Sequence, residues 1–80
     1  MRIDKFLKNS RLIKRRSAAK EACEQERILI NDKTAKPGTE VMVGDIIKIQ
    51  FGNSSVTARV VKLTESCKKE DAPGMYEIIE

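Results

Sequence analysis

Lys14, Arg15 and Arg16 stand in a row just before Ser17, Ala18 and Ala19, where a run of helix formers begins. A helix N-terminus already carries partial positive charge, so cations there are unfavourable unless an anion meets both. Phosphate binding is the chemistry this arrangement suits, with backbone N–H groups and cationic side chains acting on one oxyanion. Arginine adds a planar fork that grips phosphate through two bonds and stacks on an exposed base. Arg2, Lys5 and Arg11 extend the candidate patch towards the N-terminus, and Lys20 lies one helical turn beyond Arg16. Asp4 is the one acid among them. An acid inside such a patch does not touch phosphate itself. Its expected part is to orient a neighbouring arginine or cap backbone donors, and a plain surface pair with Lys8 at i+4 is the alternative.

The charge of the whole chain fits a confined polyanion-binding face. Residues 1–20 hold eight basic side chains against Asp4 alone, a net +7, whereas residues 21–80 hold eight basic and eleven acidic ones, a net −3. The net +4 of the protein therefore hides an electropositive end and a mildly acidic remainder.

Catalysis has little to work with. The 80 residues contain no histidine, no glycine-rich phosphate loop and no carboxylate pair in an obvious cleft, so an enzyme is not expected. Cys23 and Cys67 lack the close ligand spacing of a zinc site, so no metal or cofactor is expected. Cys23 sits among alanines and reads as a small buried hydrophobe, with a disulfide disfavoured in a reducing compartment. No apolar run approaches the roughly 20 residues that cross a bilayer, and the reading is a cytoplasmic protein without a membrane partner. Aromatic content of 4% is low for a platform that stacks single-stranded bases, so structured RNA contacted through phosphates and sugar hydroxyls fits better.

The elements that must position these residues follow from periodicity. Ile3, Phe6 and Leu7 form one stripe of a short helix over 2–8, with a break at Asn9, Ser10 and Arg11. A second helix is predicted over 15–25, with Ser17 in its first turn and Ala19, Ala22 and Cys23 on its inner face. Strands are predicted over 27–30 and 33–35, joined across Asn31-Asp32, then over 45–51, 54–63 and 75–79. Pro37-Gly38 and Gly44-Asp45 mark turns, and 65–74 reads as a charged, solvated loop. Phe6 and Phe51 are expected in the core, and Tyr76 fits either core or surface. The fold class is α+β, two short N-terminal helices packed on one face of a small antiparallel sheet, as one domain over 1–80.

The string RIDKFLKNSRLIKRRSAAKEACEQERILIN followed by KPGTEVMVGDIIKIQF resembles the RNA-binding domain named for the fourth small-subunit ribosomal protein. Four pieces carry the likeness in order: the opening R-I-D-K-F-L, the basic R-R-S-A-A-K, the I-L-I-N hairpin and the V-M-V-G-D-I strand entry. The resemblance covers 2–51, with C-terminal strands over 54–80, and implies the two-helix RNA-binding motif of that family. By resemblance, Arg2 and Arg16 match its principal RNA-contacting positions and Asp4 its motif acid. Free-standing chains of this length are similar to the fifteen-kilodalton heat-shock family and more so to short firmicute-type proteins of ribosome-associated quality control. That likeness implies a non-catalytic factor on the large ribosomal subunit, touching rRNA and tRNA or peptidyl-tRNA. It also implies a nascent-chain tailing factor as partner, which adds C-terminal alanines to stalled peptides.

A heat-shock-type recycling factor is the nearer alternative; a DNA-binding module or a protein-interaction adapter is the more distant one. A monomer is expected. The chain departs from the family at two turns, with Glu26 where a glycine commonly ends the second helix and Asp32 where the hairpin is commonly Asn-Gly. Either the left-handed backbone is kept under strain or the turns change type.

Overall fold

The computed structural model describes residues 1–63 and 74–79. Helix α1 (Ile3–Asn9) buries Ile3, Phe6 and Leu7 completely, which is the predicted stripe. Each contributes about 1.5–3 kcal/mol by leaving water. Ser10 closes the helix: its hydroxyl donates to the Leu7 carbonyl at 3.2 Å and accepts from the Leu12 amide at 3.4 Å. Arg11 then takes a left-handed backbone, φ 62°, and turns the chain towards α2 (Arg16–Glu24). Ala19 and Cys23 are buried on the inner side of α2, and Ala22 packs half-buried beside them.

At the end of α2 the left-handed backbone is kept rather than exchanged for another turn type. The Glu26 amide donates to Cys23 and the Arg27 amide to Ala22, at 3.0 and 2.9 Å, with Glu26 itself at φ 61°. This is a Schellman motif with glutamate in the glycine position. The hairpin keeps its geometry as well, since Asn31 and Asp32 have φ 52° and 68°, as a two-residue turn of type I′ requires.

Five antiparallel strands follow: β1 (Ile28–Ile30), β2 (Lys33–Thr34), β3 (Ile46–Phe51), β4 (Ser54–Val60) and β5 (Tyr76–Ile78), in spatial order β2-β1-β3-β4-β5. Register pairs Ile28 with Ile49, Ile30 with Ile47 and Ile47 with Ala58, so one face collects the apolar side chains and receives the helices. Val41 and Met75 complete that core from the connections. The opposite face carries Lys48, Thr57, Arg59 and Glu77.

Two expectations about the aromatics diverge. Phe6 is fully buried, but Phe51 is 45% exposed. It faces the core side of the sheet by alternation, yet it sits at the last position of β3, past the apolar cluster that the helices cover. Tyr76 packs half-buried against the core. The predicted charged loop and Cys67 lie mainly outside the described residues.

The turn before β3 is fixed by side chains. The Asn31 amide donates to Asp45 Oδ1 at 3.2 Å, the Ile46 amide donates to Asn31 Oδ1 at 3.0 Å, and the Met42 amide donates to Asp45 Oδ2 at 2.9 Å. Asn31 and Asp45 thus tie the β1–β2 hairpin to the segment that leads back to α1. Val41 is buried there, and Arg2 forms a β-bridge with Glu40.

Candidate nucleic-acid interface

Small residues on α2 let the two helices approach closely, so the start of α1 and the start of α2 come within ion-pair reach. Asp4 lies between them with its side chain 3% exposed. Its Oδ2 is 3.3 Å from Arg2 Nη2 and 3.7 Å from Arg16 Nε, while Oδ1 accepts from the Lys5 amide at 2.8 Å. Burying a carboxylate is costly unless such partners meet it. Both arginine side chains are half exposed, so their remaining donors face solvent.

The alternative surface pair between Asp4 and Lys8 does not form. Asp4 points into the interhelical seam, where the arginines reach it, and Lys8 stays exposed one turn along α1. Lys8 gathers with Asn9, Arg11 and Lys14 around a shallow concavity of about 70 Å³ instead. Lys8 is thus a further cation beside Arg11 and Lys14, outside the set expected from the sequence. Its i, i+3 spacing from Arg11, across a helix break rich in cations, is the signal the sequence offers for it.

The two helices differ in how their first N–H groups are used. On α1 the Ile3 amide donates to Thr39 at 2.8 Å and the Asp4 amide to Pro37 at 3.4 Å, so the 37–40 segment occupies that helix start. On α2, Arg15 occupies the cap position without a side-chain bond, and no backbone carbonyl among the described residues accepts from Arg16, Ser17 or Ala18. Three amides there point towards an exposed surface bearing Lys14, Arg15 and Arg16.

The placement of the sequence-derived residues is therefore uneven. Arg2, Asp4 and Arg16 meet in one constellation, with Lys5 beside it through its amide. Arg11 and Lys14 meet in the second, with Lys8. Arg15 stands exposed at the cap between them in sequence, and Lys20 is exposed one turn after Arg16 on α2. Cys23 lies buried behind Asp4, with its thiol pushed up to about 11 by burial first and by the charges of Asp4 and Glu24 second. No helix among the described residues is long and apolar enough to cross a membrane.

A profile of the S4 domain matches residues 1–47. The chain belongs to the S4-domain family. Relatives of this S4 protein align along nearly its whole length. The "RQC P-site tRNA stabilizing factor" of Listeria monocytogenes is 57% identical over 79 residues, which is 99% of this chain and 86% of that protein. The protein of the same name from Bacillus subtilis is 51% identical over 79 residues, covering 99% and 92%. The Heat shock protein 15 homolog of Aeromonas salmonicida is 32% identical over 78 residues, 96% of this chain and 59% of that protein.

Among solved structures, the trimeric Heat Shock Protein 15 of Vibrio cholerae superposes with a TM-score of 0.89 at 28% identity, over 98% of this chain and 80% of that one. The solution structure of HP1423 gives 0.84 at 27%, over 100% and 98%. The S4 motif of two helices on an antiparallel sheet, and both family relations inferred from the residues, are thus found.

Proposed function

We infer that this S4 protein is a non-catalytic, cytoplasmic RNA-binding factor of the large ribosomal subunit. In this reading it contacts rRNA and the tRNA of an obstructed peptidyl-tRNA, and supports C-terminal alanine tailing of stalled nascent chains by a partner factor. The observation that carries it is the constellation at the helix starts. A buried Asp4 holds Arg2 and Arg16 with outward-facing donors, next to an α2 start whose amides no carbonyl occupies. Phosphate is the ligand that uses all of these groups at once. The names and near full-length similarity of the bacterial relatives support tRNA in the ribosomal P site as the setting.

Affinity isolation of the tagged chain with sequencing of crosslinked RNA tests the proposal. Large-subunit rRNA together with tRNA is the expected yield, and recovery of messenger RNA or of no RNA would overturn it. Tailing is read separately, from C-terminal alanines on a stalled reporter in cells carrying Arg2→Ala/Arg16→Ala. Their loss supports the quality-control role. Normal tails, with large subunits failing to recycle, would favour the heat-shock-type role that the 0.89 TM-score keeps open.

A further inference from the structure

Helix α2 is charged against its own dipole at both ends. The cations at its start find a use in the RNA reading. Its last turn has no basic residue and instead bears Glu21 and Glu24, with Glu26 just beyond. Carboxylates at a helix C-terminus add to the negative end of the helix dipole and are locally unfavourable, even where a Schellman motif satisfies the last carbonyls. Neither Glu24 nor Glu26 has an ion-pair partner among the described residues.

Both carboxylates border a groove of about 440 Å³ between the end of α2 and the segment after β2. Its most buried lining is apolar, Cys23 and Ala35 with half-buried Pro37, and exposed Thr34 and Lys36 complete it from the segment opposite the glutamates. The volume falls within the roughly 300–1,000 Å³ common for ligand clefts. Glu26 carries its carboxylate to this rim from a backbone at φ 61°, a conformation in which glycine would rest without strain.

We propose that this groove docks an arginine- or lysine-bearing segment of a protein partner. Arginine and lysine are the side chains with an aliphatic stem for the Cys23–Ala35–Pro37 lining and a cationic head for the Glu24–Glu26 rim. The rim repels phosphate, so the occupant is protein rather than RNA. Nine residues of helix separate the two ends of α2, about 13 Å at 1.5 Å per residue, so a partner can seat at one end while an anion occupies the other. The docking rests on the groove's own chemistry and stands or falls apart from the RNA reading.

A titration of the isotopically labelled full chain with a tetra-arginine peptide, and with tetra-alanine as control, tests this by amide shifts at low salt. Shifts are expected for tetra-arginine alone, confined to residues 23–27 and 34–36. Glu24→Gln/Glu26→Gln should weaken the peptide about threefold to tenfold, the range that one or two exposed ion pairs supply. Glu26→Gly keeps the test decisive if the double variant folds poorly, because it should raise the melting temperature while still weakening the peptide. Arg15→Gln/Arg16→Gln should bind the peptide as the parent does, whatever becomes of RNA. Equal shifts around Asp32, Glu40 and Asp45, or unchanged affinity in the rim variants, would overturn the docking site.

Discussion

Asp4 and Arg16 sit on different helices, and their charged atoms lie 3.7 Å apart across the α1–α2 seam. Asp4 is nearly excluded from solvent while Arg16 is half exposed, so the pair fixes the arginine more than it shields it. A guanidinium already held in place loses less side-chain freedom when phosphate arrives. Asp4→Asn and Arg16→Gln should each weaken RNA binding. In denaturant unfolding, the double variant should lose less stability than the sum of the two, by about 0.5 kcal/mol given the exposure of Arg16. Strict additivity would show that the seam pair is not coupled.

Left-handed residues supply a second prediction. Arg11, Glu26 and Asp32 hold φ of 62°, 61° and 68°, where a side chain costs about 1 kcal/mol relative to glycine. Glu26→Gly should therefore raise the melting temperature by roughly 4–8 °C. Asp32→Gly should gain less, because aspartate tolerates this region better than glutamate or arginine does. A lower melting temperature for Glu26→Gly would contradict the Schellman geometry.

Arg11→Gly carries two readouts of opposite sign. Relief of the backbone at φ 62° should stabilise the fold, while loss of a cation beside Lys8 and Lys14 should weaken RNA binding. A variant that gained both stability and affinity would remove Arg11 from the interface.

Cys23 makes alkaline stability informative. Its folded pKa of about 11 lies above the ordinary 9.0, because burial, then Asp4 and Glu24, disfavour the thiolate. Below pH 9 both folded and unfolded chains keep the proton and nothing is lost. Between pH 9 and 11 the unfolded chain releases it first, so stability falls as pH rises, by about 3 kcal/mol at most. Unfolding free energies of the parent and Cys23→Ala across this window check it, since the variant should show a shallower decline.

RNA binding should depend steeply on salt. For duplex DNA each neutralised phosphate contributes a slope of about 0.9 in log affinity against log salt, and for single strands about 0.7. Arg2→Gln or Lys8→Gln should each lower the measured slope by roughly one contact. A slope unchanged by Lys8→Gln would leave the Lys8–Arg11–Lys14 concavity outside the interface.

The helices were legible in the chain because Ile3, Phe6 and Leu7, then Ala19 and Cys23, repeat at helical spacing and are all buried. Four of the five strands showed as alternation or apolar runs, and β2 showed through the turn chemistry before it. Phe51 misled because alternation reports the face of a sheet and not how far the covering helices reach along it. Asp4 left two kinds of partner open in the sequence: i+4 spacing offered Lys8, whereas Arg16 is brought to it by the packing of a second helix, which spacing does not report. The left-handed Arg11 had no composition signal, since neither glycine nor asparagine marks it. The groove at the end of α2 was invisible as well, because its two walls are joined only by the fold.

The 37–40 segment, which takes up the first amides of α1, has an effect on placement. With that helix start plugged, the RNA contact proposed above is left one helix start to use, that of α2, instead of two side by side.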